Sequence, residues 1–379
     1  MSAEPASPTA PSRTDLLAAF SPGARVADPG EGITEEELLL ASRNHAMPAE
    51  ALRYDVTPPG LHYVLVHYDI PAVDPDAWRL RITGCVDQEI TLDLDALRSM
   101  PRHTVRVTLE CAGNGRVGLT PRPVSQPWLT GAVGTADWTG VPLRDLLGNA
   151  GLTDDAVDVT FTGADHGLER GVEQDYVRGL TVAEATEPDV LVAYEMNGAA
   201  LPPQHGYPVR LVVPGWYGMA HVKWLRDITV IDHSFEGFQN ATSYRLRHEV
   251  DEVGVPVTRI EPRALLVPPG FPEFMTRRRV VQSGPHMLEG RAWSGWGPIS
   301  RVEVSTDDGE TWQDATLDEP TWDHAWRRLT CAWDAEPGRH RLRTRAHDTS
   351  GRTQVDEPRW SLGGFTNNAD PAIDVLVAD

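Results

Sequence analysis

Cys111 closes the run Thr108-Leu109-Glu110-Cys111-Ala112-Gly113-Asn114-Gly115-Arg116, in which a β-type apolar stretch stops at a thiol and a glycine-rich corner with a guanidinium follows at once. A thiolate at a strand end is a ligand for a soft or high-valent transition metal, and an arginine beside it suits an anionic substrate or cofactor. Isolated cysteines are more often buried packing residues, so the surrounding motifs decide. Arg43-Asn44-His45-Ala46-Met47-Pro48 places a cation, an amide and an imidazole side by side before a proline. It reads either as a solvated loop or as an anion clamp reaching toward the Cys111 corner. In the segment Met196 to Arg210, Asn197-Gly198 makes a tight turn, and a Pro/His/Gly loop presents His205 and Arg210 around the next strand. A second glycine-framed loop, Pro214 to Gly218, precedes Lys223. His205, Arg210 and Lys223 could jointly meet a phosphate through charge-assisted hydrogen bonds; the alternative is loop cations solvated separately. The signatures of zinc hydrolases, of serine-hydrolase elbows and of dinucleotide or P-loop sites are missing from the sequence.

Irregularly mixed strands and short helices position these residues. Thr34 caps a short acidic helix, Glu35 to Ala41. Strands are expected at Tyr63 to Tyr68, Trp78 to Gly84, Thr104 to Leu109, Val157 to Thr162, Val190 to Glu195, Tyr207 to Val213 and His221 to Val230, with short helices at Asp93 to Ser99 and Leu143 to Ala150. That mixture indicates an α+β domain. Beyond about residue 255 a proline-punctuated connection leads into period-two alternation. Ile299 to Ser305 turns at Asp307-Asp308-Gly309, and Arg341, Arg343 and Arg345 alternate with Leu342, Thr344 and Ala346, as in an immunoglobulin-like β-sandwich. The expected division is a disordered tail over 1–33, a cofactor-binding domain over 34–255 and a β-sandwich over 256–379.

A chain of 379 residues is long for one hydrophobic core. Its net charge of −21 argues against nucleic acid and acidic membrane surfaces, so any anion site must be a local concentration of cations. The same charge attracts a basic protein partner. Cys85, Cys111 and Cys331 are too few and too scattered for a disulfide framework. The polar Ala/Pro/Ser-rich start reads as a tail and not as a leader, and the expected location is cytoplasmic.

Taken in order, these segments resemble the sulfite oxidase family of molybdenum enzymes over roughly residues 40 to 370. The matching pieces are Arg43-Asn44-His45 with Pro48, Cys111 to Arg116, Trp128 with Gly131, Ala136 with Trp138 and Gly140, Ala193 to Arg210, Val222 to Leu225, and Ala292 to Gly295. The resemblance implies a molybdopterin-binding α+β domain followed by an immunoglobulin-like dimerisation domain, with molybdenum held by the pterin dithiolene and by Cys111. It implies that Arg43 and Arg116 neutralise the substrate anion, that Trp128 lines its pocket and that Tyr244 donates a hydrogen bond near the metal's oxo ligand. Asn44, His45, Asp165, His205, Arg210 and Lys223 would hold the pterin and its phosphate. The implied reaction is sulfite to sulfate by oxygen-atom transfer in a homodimer, with electrons leaving to a separate acceptor such as a cytochrome. Reduction of nitrate or a sulfoxide on the same scaffold, or a non-catalytic binding protein, are the alternatives. Two departures stand out. Asn368-Ala369-Asp370-Pro371-Ala372 replaces the family's Asn-Ala-Trp-His-Arg, and Ser294-Gly295-Trp296-Gly297-Pro298 replaces Ser-Gly-Gly-Gly-Arg. Both arginines of the second domain are thereby lost, and Arg352 and Arg359 are the candidates to replace them.

Overall fold

The computed structural model describes residues 11–21 and 23–379. Two sheets build the first domain. One has five strands in the order Ile90–Leu92, Leu80–Gly84, Leu225–Ile231, Asp158–Glu169, Val172–Thr181, with Leu80–Gly84 and Leu225–Ile231 parallel. The other runs His103–Glu110, Val133–Pro142, Leu191–Met196, Ala199–Ala200, and Arg210–Val212 adds to Leu191–Met196. The helix Leu143–Ala150 buries Leu143, Leu146, Leu147 and Ala150 between them, an i, i+3, i+4, i+7 stripe, and Gly151 ends it at φ 71°. The Glu35–Arg43 helix opens with a capping box between Thr34 and Glu37.

The second domain packs a four-stranded sheet (Arg263–Leu266, Gly284–Trp293, Arg327–Ala335, Thr316–Leu317) on a six-stranded one containing Arg279–Gln282, Ile373–Ala378, Gly338–Asp348 and Ile299–Ser305. Alternation builds its core: Leu342, Thr344 and Ala346 are buried, while Arg341, Arg343 and Arg345 on the other face pair with acidic neighbours. The chain is thus α+β with a two-sheet β-sandwich, as its pattern implied.

Several expectations change, among them His221 to Val230, whose strand begins only at Leu225, and Val157 to Thr162, which runs on as Asp158–Glu169. The tail was drawn to residue 33, of which residues 1–10 and 22 lie outside the described ones. Within the remainder, Arg13–Phe20 is a helix capped by Ser12, and the following chain pairs with 122–124 through Ala27 N–H to Arg122 O and Val124 N–H to Arg25 O. The stretch Tyr63 to Tyr68 forms no strand, only a bridge between Val64 and His45. Side chains take up its backbone groups instead. Asn44 Oδ1 accepts from Val66 N–H at 2.8 Å, Lys223 Nζ donates to Leu65 O at 2.6 Å, and Arg43 donates to His67 O at 3.1 Å. Tyr207 to Val213 shortens to Arg210–Val212, since Arg210 is the first residue to pair with Leu191–Met196.

The domains meet behind Cys111. Glu110 is fully buried; its carboxylate accepts from Asn114 Nδ2 at 2.9 Å and from Trp293 Nε1 at 2.7 Å, and Arg263 Nε stands 3.0 Å away. Trp293 and Arg263 belong to the second domain. Truncating one member of a buried pair strands the other charge, so Glu110→Ala is expected to lose about 3–5 kcal/mol of stability, read as a fall in the urea midpoint at unchanged slope.

Candidate active site

The strand His103–Glu110 delivers Cys111, and a closed loop then fixes it. Cys111 N–H donates to Ala132 O at 2.9 Å, Asn114 N–H donates to Cys111 O at 2.9 Å, and Asn114 Oδ1 accepts from Ala132 N–H at 3.1 Å. Gly115 takes φ 88°, which favours glycine. A Cβ on Gly113 would lie 2.3 Å from Arg116 Nη2, so only glycine lets the guanidinium fold back toward the thiol. Burial pushes the Cys111 pKa up, while Arg116, the Gly113 N–H and the Trp128 indole pull it down.

Two cavities share Cys111. One is lined by Asp165, His205, Arg210 and Lys223, together with His62, Tyr63 and Gln204. The other, about 520 Å³, carries Arg43, Arg116, Trp128 and Arg170, with apolar walls from residues such as Leu65, Leu168 and Phe365. Tyr244 and His67 border both.

In the first cavity Arg210 is buried, donates to His205 O at 3.0 Å and His221 O at 3.2 Å, and lies 4.7 Å from the Trp138 ring centre. Burial lowers the Lys223 pKa to about 7 and raises that of Asp165 to about 6. His205 Nε2 and His62 Nε2 are buried without partners. Unpaired buried nitrogens are costly, and with Arg210 and Lys223 beside them they suit a polar, anionic ligand such as a phosphorylated pterin. In the second cavity Arg116 is buried and donates to Gln126 O at 2.9 Å and Gly363 O at 3.1 Å. Tyr244 Oη lies 2.6 Å from His67 Nε2, and its ring stacks on Phe365 at 5.1 Å between centres.

Two expected residues lie elsewhere. His45 is exposed and borders neither cavity. The Asn44 side chain is spent on the fold: its amide donates to Leu40 O at 3.0 Å and Gln126 Oε1 at 2.9 Å, and its oxygen holds Val66 N–H. His67 and His62 stand at the cavities instead. His67 lies in a stretch that reads as a strand and His62 just before it, and neither carried a motif to single it out. Arg352 packs over Trp296 at 3.7 Å and, like the exposed Arg359, does not border the second cavity. The second domain lines that cavity with Leu362, Gly363 and Phe365 and with no cation. Asp370, in the slot of the lost arginine region, is paired with Arg343 at 3.1 Å.

A buried thiol at the junction of a cationic ligand cavity and an arginine-lined one, with a β-sandwich closing the far wall, defines a molybdopterin-dependent oxidoreductase. Residues 67–239 match the oxidoreductase molybdopterin binding domain, and 271–375 match the Mo-co oxidoreductase dimerisation domain. Mitochondrial sulfite oxidase of Mus musculus is 34% identical over 386 residues, covering 92% of this chain and 68% of that protein. Nitrate reductase [NADH] 2 of Phaseolus vulgaris is 31% identical over 342 residues, covering 83% of this chain and 38% of that protein. The sulfane dehydrogenase SoxCD of Paracoccus pantotrophus matches in structure with a TM-score of 0.76 at 25% identity, over 100% of this chain and 95% of that one. The chain belongs to the sulfite oxidase family, and its cofactor is molybdenum with molybdopterin. Among the described residues no helix is long and apolar enough to cross a membrane.

Burial depresses the pKa values of His62 to about 4, His221 to about 3 and His205 to about 2. The unfolded chain binds protons at these histidines below pH 6.5 and the folded protein does not. Their contribution is therefore fully present above pH 6.5 and is lost as pH falls toward the folded values. Urea unfolding of the purified protein between pH 7 and 4.5 is expected to show that loss. In His221→Gln the slope against pH is expected to fall by about one proton.

Proposed function

We propose that this chain oxidises sulfite to sulfate and passes the electrons singly to a separate protein acceptor, such as a cytochrome. Sulfite and water give sulfate, two protons and two electrons, so a one-electron acceptor such as a cytochrome is used twice per turnover. Molybdenum with its pterin supplies the oxygen-atom transfer when bound. The observation that carries the reading is the position of Cys111, on the wall shared by a cavity suited to an anionic cofactor and one suited to a small anion.

In this reading Cys111 is the protein's ligand to the metal. Burial alone disfavours its thiolate, but a coordinated thiol is deprotonated, and Arg116 favours the same state. Asp165, His205, Arg210 and Lys223 hold the pterin and its phosphate, with His62 beside His205 offering a further ring nitrogen. Arg116 and Arg43 attract the substrate anion, the deeper Arg116 acting where water is scarce and its charge is least screened. Trp128 walls the pocket. Tyr244 directs its hydroxyl toward the reacting centre, with His67 as its hydrogen-bond partner at 2.6 Å. The 271–375 region supports a homodimer, and a cytoplasmic location belongs to the same reading.

Nitrate reduction is the second reading. The nitrate reductase likeness and the reduced cation count of the second domain both favour a singly charged substrate.

Elemental analysis of protein from a host that makes the cofactor is expected to give about one molybdenum per chain, with sulfite bleaching the thiolate-to-molybdenum absorption band. Cys111→Ser is expected to abolish both the band and turnover with ferricyanide. Metal without bleaching, combined with nitrate turnover from a reduced donor, would replace sulfite with nitrate.

A further inference from the structure

The second cavity presents more positive charge than the sequence motifs supply. Arg170 lines the same cavity as Cys111 and Arg116. It sits at the tip of the hairpin Asp158–Glu169/Val172–Thr181, where Glu169 pairs with Val172 and leaves Arg170-Gly171 as a two-residue turn. Their φ values of 49° and 80° are the paired left-handed conformations that such turns require. Asn, Asp or Gly would hold this turn more cheaply than arginine, so the choice of residue calls for another reason.

That reason lies in what Arg170 does not touch. Among the described residues it has no hydrogen bond, ion pair or aromatic ring as partner, although it is half-buried. The other cations of this cavity have protein partners, of which only the Glu31 carboxylate on Arg25 offsets charge. Arg25 holds Glu31 at 2.8 Å, Arg43 donates to His67 O, and Arg116 donates to two carbonyls. Even the adjacent carboxylate is taken, since Glu169 accepts from Gln239 at 3.0 Å and from Ser243 at 3.1 Å. Arg170 therefore keeps its full charge for whatever occupies the cavity. That charge reaches inward: burial depresses the Arg116 pKa, Cys111 and Tyr244 raise it, and Arg170 depresses it again. The turn is also braced. A Cβ on Gly171 would lie 3.0 Å from Ala18 Cα, so the Arg13–Phe20 helix rests on the turn, and Arg13 pairs with Glu173 at 2.6 Å.

We propose that Arg170 is a substrate-binding cation of this site, contributed by the first domain's hairpin where the second domain contributes none. The proposal rests on the reading of the cavity as an oxyanion site. A doubly charged oxyanion leaving water needs compensating charge within a few ångströms; the buried Arg116 supplies one charge and the exposed Arg43 a more screened one, so a third cation on the cavity wall strengthens binding. The role is binding and orientation: Arg170 moves no proton, and its guanidinium stays charged throughout.

The test compares molybdenum-loaded wild type with Arg170→Gln, Arg170→Lys and Arg352→Gln, using sulfite with ferricyanide. Arg170→Gln is expected to raise KM by about tenfold while kcat stays within about twofold, the mark of lost ground-state binding. Arg170→Lys is expected to recover most of the loss, and Arg352→Gln to match wild type. Calorimetric titration of the same proteins with sulfate provides a readout independent of turnover, and Arg170→Gln is expected to weaken it by a similar factor. Unchanged KM and unchanged sulfate affinity in Arg170→Gln would overturn the proposal, as would a joint fall in kcat and thermal midpoint with unchanged sulfate affinity. If wild type holds molybdenum and leaves sulfite unoxidised, while sulfate binding still depends on Arg170, the anion site stands and sulfite as the substrate fails.

Discussion

A buried carboxylate next to the reactive thiol is the constraint on which the rest of this structure depends. Glu110 ends the strand that delivers Cys111, and its side chain is cut off from bulk solvent, so its oxygens are met by protein. Asn114 meets it from the Cys111 loop itself, while Trp293 and Arg263 meet it from the second domain. The loop geometry and the domain contact are thus satisfied by one group. Asn114 then reaches on to Thr130 O and Ala132 N–H, which locks the backbone behind the thiol. The sandwich domain is thereby tied to within one residue of Cys111. Such a pair adds little stability relative to an apolar replacement of the same shape; its effect is to fix position.

The same logic explains how an acidic protein with a net charge of −21 presents a positive site. Outside the cavities, arginines pair with carboxylates: Arg106 with Asp137, Arg122 with Glu37, Arg345 with Asp356. Inside, Arg116, Arg210 and Lys223 donate to backbone carbonyls. A carbonyl dipole orients a guanidinium or ammonium without cancelling its charge, so the cations are held in place and still attract an anion. Asp165 is the exception: burial raises its pKa and lowers that of Lys223, while each charge partly supports the other.

Much of this was legible in the sequence. Period-two alternation gave the buried face of Gly338–Asp348, the Thr34 box opened its helix, and Gly113 and Gly115 marked the corner at Cys111 because backbone and guanidinium crowd there. The motifs located Cys111, Arg116, Trp128, Asp165, His205, Arg210, Lys223 and Tyr244 at the cavities. They missed His62 and His67, the latter within Tyr63 to Tyr68, which reads as a strand. Pairing there is replaced by side-chain bonds from Arg43, Asn44 and Lys223, residues distant in sequence, and local pattern cannot report bonds of that span. Asn44 lies off the cavities for the same reason: its side chain bonds Leu40 O, Gln126 and Val66 N–H in the fold that brings His67 to the cavity.

The division of labour between the domains follows from where charge is placed. Within the described residues, the second domain gives the cavity over Cys111 an apolar wall, Phe365 stacked on Tyr244, and the Gly363 carbonyl that steadies Arg116. It shapes the pocket and orients a cation it does not own. Asp370, by contrast, is turned to Arg343 and Thr344 within its own sandwich, where it stabilises that domain. The charged contacts of the cavity therefore all come from one folding unit, and its selectivity is insulated from small shifts at the domain boundary. A hairpin tip is a more mobile support than a sheet interior. The helix Arg13–Phe20 resting on Gly171 offsets that, which gives the N-terminal segment a part in the geometry of the site.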